Sequence, residues 1–209
     1  MKVLITAGPT LERIDAIRFI SNRSSGRMGY AVAEAARDAG CMVVLISGPV
    51  TLPVPQGIKV EKVESAAEMA AAVFKHAVDS DVIIMAAAVA DYTPKNKSDR
   101  KLKKTPGDLT IELERTEDIL LTLGNNKPEG QVLVGFAAET ENLVKYATGK
   151  LQRKNLDWIA ANDISASDRG FGADANEITL IGRSGQQINI PLADKKTVAR
   201  RLLDIILPQ

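Results

Sequence analysis

Strand-sized apolar runs that alternate with helical patterns constrain this 209-residue chain more than any other feature. Residues 2–7 (Lys-Val-Leu-Ile-Thr-Ala) read as a buried strand. Residues 27–39 read as a helix, with Met28, Ala31, Val32, Ala35 and Ala36 at helical spacing and Gly40 as its stop. Residues 41–47 read as a second buried strand, and residues 58–63 alternate as a third. Ser65-Ala66-Ala67-Glu68 is a capping box that opens the next helix. Residues 81–88 are apolar throughout, which predicts a central strand. Further on, 131–136 and 157–161 read as strands, and 141–155 as a helix rich in Lys and Arg. Residues 177–181 and 187–190 flank Arg183-Ser184-Gly185-Gln186 as an edge hairpin. Residues 194–207 close the chain as a helix with Val198, Leu202, Ile205 and Ile206 on one face. This order predicts an α/β, three-layer Rossmann-like fold: a mostly parallel sheet plus a C-terminal edge hairpin, in a single domain over residues 1–209.

Composition narrows the function. Against 27 basic residues stand 26 acidic ones, so no global field points to nucleic acid or an anionic membrane. Cys41 is the only cysteine, which excludes a disulfide framework, and His76 is the only histidine, which excludes a Cys/His zinc site. His76 sits in an alanine-rich helical pattern far from any nucleophile motif and reads as a packing or surface histidine. No apolar run approaches the ~20 residues of a membrane span, and the run after Met1-Lys2 is too short for a signal peptide. A cytoplasmic protein is expected.

Three stretches fit no regular element: residues 8–25, 90–105 and 164–176. The first two follow the carboxyl ends of predicted strands, the edge where open α/β sheets bind ligands. Ser21-Asn22-Arg23-Ser24-Ser25-Gly26-Arg27-Met28-Gly29 opens a helix and offers either an anion cradle or a plain packed helix start. It is neither a P-loop nor a GxGxxG turn. Residues 95–104 hold six basic residues and one acid, suited to a solvated loop or to a lid that closes over phosphates. Lys150 and Lys154 share a helix face, as phosphate ligands or as a solvated basic face. Tyr146 with Lys150 also matches the Tyr-x-x-x-Lys pair of short-chain dehydrogenases, so an NAD(P)-dependent reductase is the rival reading. Small residues 86–90 lead to Asp91, which suits a base, a ribose, a metal held through water, or a turn. Phe136 is placed to stack on a nucleobase or to fill core. Asn162 and Asp163 add polar groups at the same edge, and Arg18 can pair with a phosphate, a carboxylate or Asp15.

Read in order, these strings resemble the bacterial phosphopantothenoylcysteine synthetases (phosphopantothenate–cysteine ligases), the ligase domain of bifunctional coenzyme A biosynthesis proteins. The resemblance rests on residues 3–10, Arg18–Asn22, Ser24–Gly29, Ala87–Tyr92, Lys101-Leu102-Lys103-Lys104, Val134–Thr140 and Asn162-Asp163. It implies ligation of 4′-phosphopantothenate to L-cysteine with CTP and Mg²⁺, through an acyl-cytidylate. A carboxylate is already a nucleophile at neutral pH, so such chemistry needs neither a catalytic His nor a Cys. The resemblance also implies residue roles. Asn22 orients the acyl group, and Lys101 reaches the phosphates. Arg18 and Ala88 lie along the phosphopantothenate. Asp91, Glu117, Asp118, Ile119, Leu120, Phe136, Lys150 and Lys154 form the nucleotide site, and Ser24, Ser25 and Gly26 hold a phosphate. Metal ligands stay unassigned. A homodimer and a fused or associated flavin-dependent decarboxylase are implied as well. Two departures stand out: Ala16 and Glu117 occupy places where the family favours proline. The reductase rival needs a glycine-rich first turn that residues 8–13 lack.

Overall fold

The computed structural model describes residues 1–104, 106–139, 141–163 and 174–207. Most of the expected 164–176 loop therefore lies outside the described residues, as do Thr105, Thr140 and the last two positions of the expected domain. Twelve strands and five helices are described: β1 Lys2–Ala7, β2 Leu11–Arg13, β3 Phe19–Ser21, α1 Arg27–Asp38, β4 Met42–Ser47, β5 Lys59–Lys62, α2 Ala66–Ala77, β6 Val82–Met85, β7 Tyr92–Pro94, β8 Leu113–Arg115, α3 Ile119–Asn126, β9 Val132–Glu139, α4 Leu143–Arg153, β10 Trp158–Asp163, β11 Ala175–Gly182, β12 Gln187–Asp194 and α5 Lys195–Ile206.

The main sheet runs β12-β11-β10-β9-β6-β1-β4-β5. Its six strands from β5 to β10 are parallel, and β11 and β12 add an antiparallel edge. This is the expected α/β architecture with its C-terminal hairpin. Alternation along β1 sorts the core into two layers. Val3, Ile5 and Ala7 pack with α1 and α5, while Leu4 packs with α2, α3 and α4. Leu4, Ile5, Leu45, Ile46, Ile83 and Ile84 are fully buried, each contributing about 1.5–3 kcal/mol. The connection from β1 runs to β4 and that from β6 to β9, so the chain leaves two neighbouring strands in opposite directions. The carboxyl ends of β1 and β6 thus form the topological switch point where such sheets open a crevice.

Several local expectations are refined. The predicted 81–88 strand ends at Met85. Beyond it the small residues cross over the end of β1, where Ala88 N donates to Gly8 O at 2.9 Å and Thr10 N to Ala88 O at 3.3 Å. Of the stretches expected to be irregular, 8–25 carries the antiparallel ribbon β2–β3, and 90–105 carries β7, which pairs with β8 beyond it. Glu12 ties them to the body: its buried carboxylate accepts from Ala66 N and from Thr93 Oγ1, each at 2.7 Å. Helix α3 has no counterpart in the sequence reading. Ser65 caps α2 by accepting from Glu68 N at 3.2 Å, and Glu68 Oε2 accepts from Glu64 N rather than from Ser65 N. His76 is a packing histidine, buried with its Nε2 2.8 Å from Glu61 Oε2.

Candidate functional site

A cavity of about 560 Å³ opens at the switch point, within the range of small-molecule sites. It straddles the sheet edge. Ser24, Ser25, Gly26, Met28 and Gly29 bring the start of α1, and residues 86–92 bring the crossing small-residue strip. Residues 115–120, Lys150 and Lys154 come from the α3/α4 side, Phe136 packs against the α1/α5 layer, and Asn162, Asn176 and Lys195 come from the β10–β11 and α5 side.

The start of α1 is shaped to meet a ligand closely. Gly26, its N-cap, has φ 76°, and no side chain caps the helix. Gly29 lets the helix lie against β1: a β-carbon there would stand 2.5 Å from Ala7 Cβ and 2.8 Å from Thr6 O. Ser24 Oγ accepts from Gly26 N at 3.3 Å and steadies the turn. The helix amino end presents N–H groups and the positive end of its dipole to the cavity, a setting for an anion.

On the opposite wall both lysines meet carboxylates. Lys150 Nζ donates to Glu139 Oε1 at 2.7 Å, and Lys154 Nζ to Asp118 Oδ1 at 2.8 Å. Asp118 also caps α3 through Leu121 N at 3.1 Å. Arg115, on β8, lies over the Tyr92 ring at 5.8 Å from its centre. Asp91 is exposed on the cavity lip, where its carbonyl accepts from Thr116 N at 3.0 Å. Tyr146 is exposed and does not line the cavity, so the Tyr-x-x-x-Lys pair of the reductase reading is not assembled there.

Of the residues singled out from sequence, the cavity gathers Ser24, Ser25, Gly26, Ala88, Asp91, Glu117, Asp118, Ile119, Leu120, Phe136, Lys150 and Lys154. Arg18, Asn22 and Lys101 stand outside its lining. Asn22 is adjacent, its Nδ2 donating to Ala88 O at 3.0 Å. Arg18 takes the Asp15 option: its Nε and Nη2 donate to Asp15 Oδ2 at 3.0 and 2.5 Å. Those bonds, with the backbone N–H groups of Arg18 and Ile17, hold the Asp15 carboxyl far below the usual carboxylate range. The same pair moors the basic segment. Leu102 N donates to Asp15 Oδ2 at 3.1 Å, and Arg18 Nη2 donates to Leu102 O at 3.2 Å. Lys101 is thereby exposed beside the moored Leu102. The sequence reading missed Arg115, Asn176 and Lys195. Asn176 opens the first hairpin strand and Lys195 follows the second, and only the antiparallel pairing of β11 with β10 and β12 brings them to the ligand edge. A polar residue at such a strand start or helix start was the available signal.

Among the described residues, no group of three or more His, Cys, Asp or Glu side chains is arranged to hold a metal. No described helix is long and apolar enough to cross a membrane.

Comparison with known proteins agrees with this architecture. The family model for the DNA/pantothenate metabolism flavoprotein C-terminal domain matches residues 1–208. The chain is 51% identical over 205 residues to the coenzyme A biosynthesis bifunctional protein CoaBC of Bacillus subtilis, covering 98% of this chain and 50% of that protein. The chain spans about half the length of the curated relatives it matches. A crystal structure of the C-terminal domain of a CoaBC protein superposes with TM-score 0.83 at 47% identity, covering 97% of this chain and 92% of that one. A Cab2 mutant in complex with phosphopantothenate-cysteine superposes with TM-score 0.81 at 16% identity, covering 98% of this chain and 84% of that chain, a likeness of fold.

Proposed function

Because the chain belongs to the family of DNA/pantothenate metabolism flavoprotein C-terminal domains, we propose that it is a phosphopantothenate–cysteine ligase of coenzyme A biosynthesis. It joins 4′-phosphopantothenate to L-cysteine at the expense of CTP, and residues 1–209 act as one domain. One observation carries the reading: the uncapped start of α1, the small-residue strip 86–90 and the Lys150/Lys154 wall meet in one cavity of nucleotide size. Neither His76 nor Cys41 is among its described lining residues.

In this reading the acid's carboxylate oxygen bonds to the α-phosphorus of CTP as the bond to pyrophosphate breaks. The cysteine amine then bonds to the acyl carbon, CMP leaves with the bridging oxygen, and the amine loses a proton. Positioning and charge neutralisation supply the catalysis. Asn22, fixed against Ala88 O, orients the acyl group and stabilises its oxygen during amine attack. Lys101 reaches the phosphates from the basic segment, and Arg18 with Ala88 flanks the phosphopantothenate. Asp91 receives the ribose, Phe136 and the 117–120 backbone hold the base, and Lys150 and Lys154 hold phosphate by exchanging their carboxylate partners. Ser24, Ser25 and Gly26 hold a phosphate at the start of α1. The acidic side chains lining the cavity are Asp91, Glu117 and Asp118, and one of these carboxylates with the substrate phosphates would hold Mg²⁺, the usual composition of such sites. Bound there, the ion would neutralise phosphate charge.

In this reading the protein works in the cytoplasm as a homodimer, together with a flavin-dependent decarboxylase, fused or associated. The ribbons support the dimer, since Phe19, Tyr92 and Leu113 expose apolar side chains along them. Calorimetric titration with CTP, ATP and NADPH tests the nucleotide assignment. Saturable CTP binding is expected, with ATP weaker. Binding of NADPH with none of CTP would contradict the ligase.

A further inference from the structure

The wall of the cavity on the α1/α5 side has features that the nucleoside subsite leaves unused. Asn176, at the start of β11, is 3% exposed and lines the cavity. Among the described residues, its Nδ2 contacts a weak acceptor, the Met28 sulfur at 3.9 Å, and its Oδ1 has no hydrogen-bond partner. A buried amide held this way is costly unless an occupant of the cavity completes it. Lys195, at the start of α5, is 8% exposed and lines the same wall. Its ammonium is pressed toward the neutral form by burial and by the nearby Arg27, with Asp174 opposing. Arg27, the first residue of α1, is ion-paired with Asp174, whose carbonyl accepts from Lys195 N at 3.3 Å. The Arg27 guanidinium and the Lys195 ammonium thus both stand near the uncapped amino end of a 12-residue helix. An anion seated there is attracted by both cations and by the helix amino end, and a water bound beside it can donate to Asn176 Oδ1.

We propose that Lys195 and Asn176, with the amino end of α1, form a subsite that binds a phosphoryl group of a substrate. This rests on the ligase reading for what brings the phosphoryl group: the β and γ phosphates of the nucleotide, or the 4′-phosphate of the acid. Lys195 donates to the phosphoryl oxygens as a charged donor. Asn176 gives its second N–H to the same group and accepts a bound water through Oδ1.

The test is calorimetric titration of wild type, Lys195→Met, Lys195→Arg and the isosteric Asn176→Asp with pyrophosphate, CMP, CTP and 4′-phosphopantothenate. Lys195→Met is expected to weaken pyrophosphate and CTP by about 10–100-fold while CMP is unchanged, with Lys195→Arg restoring most of the loss. Asn176→Asp sets a carboxylate against the anion and is expected to weaken the same ligands while keeping the fold. A loss confined to 4′-phosphopantothenate supports the subsite and assigns it to the acid. Unchanged affinities for all four ligands in folded Lys195→Met and Asn176→Asp would overturn it. Pyrophosphate binding is read without turnover, so the two readings fail separately. A wild-type chain that binds pyrophosphate through Lys195 but makes no product keeps the subsite and loses the ligase. An active ligase whose variants bind like wild type does the reverse. A wild-type chain that binds none of the four loses both.

Discussion

Asn22 sits beside the cavity with one N–H of its amide held by Ala88 O, which leaves the other for the role proposed for it in the second half-reaction. Asn22→Asp keeps the size and loses the donor. It is expected to retain pyrophosphate release while slowing amide formation by about 10²-fold or more, the cost of losing one oxyanion donor. Quench-flow measurement of both products checks this, and equal loss of both steps would remove the role. Asp15 offers a second test. Its carboxyl is held well below the ordinary range by Arg18 and by backbone N–H groups, and it anchors Leu102. A depressed carboxyl contributes stability that is present above its unfolded value near 4 and lost as pH falls through the folded value. Asp15→Asn is therefore expected to flatten the acid limb of a melting-temperature profile and to speed proteolysis within residues 95–104. An unaltered acid limb would show that the pair carries no such linkage. The Asp15–Arg18 pair was legible as an option in the sequence because three positions separate the partners. Asn176 and Lys195 were not, because their place at the cavity depends on strand pairing far along the chain.

At the scale of elements, α1 is positioned by the absence of a side chain. Gly29→Ala places a methyl group against Ala7 and the Thr6 carbonyl. It is expected to cost about 1–3 kcal/mol, seen as a lower Tm, and to weaken nucleotide binding because the amino end of α1 moves away from β1. A Tm and an affinity equal to wild type would mean that the contact relaxes freely. The long elements were legible because their periodicity persists over many residues: β1, β4, α1, α2 and α5 fall where the apolar pattern sets them. Helix α3 was not, since eight residues ending in Gly-Asn-Asn carry little helical period. The ribbons β2–β3 and β7–β8 have three residues per strand, too few for alternation to register. What holds them is the buried Glu12 bridge to α2 and Thr93, a long-range contact that no local pattern encodes.

For the whole molecule, the parallel sheet and the edge hairpin followed from element order, while the strand order β5-β4-β1-β6-β9-β10 came from the structure. Right-handed crossovers permit few such orders, and this one puts the switch point between β1 and β6. Most of the candidate site follows from that placement, because the strings 24–29, 86–92, 117–120 and 136 all end at one edge. The exposed apolar ribbon residues bear on assembly. Replacing both Phe19 and Leu113 with Asp is expected to shift the chain from dimer to monomer in sedimentation velocity. A wild-type monomer, or a dimer unaffected by the change, would place any interface elsewhere. The central claim is that one cavity runs two half-reactions in order. The measurement that tests it most directly is pyrophosphate release from purified protein with Mg²⁺ and 4′-phosphopantothenate, using CTP, ATP or no nucleotide, each with and without cysteine. The predicted result is CTP-dependent pyrophosphate release without cysteine, with 4′-phosphopantothenoylcysteine and CMP appearing only when cysteine is added; no release with either nucleotide would contradict it.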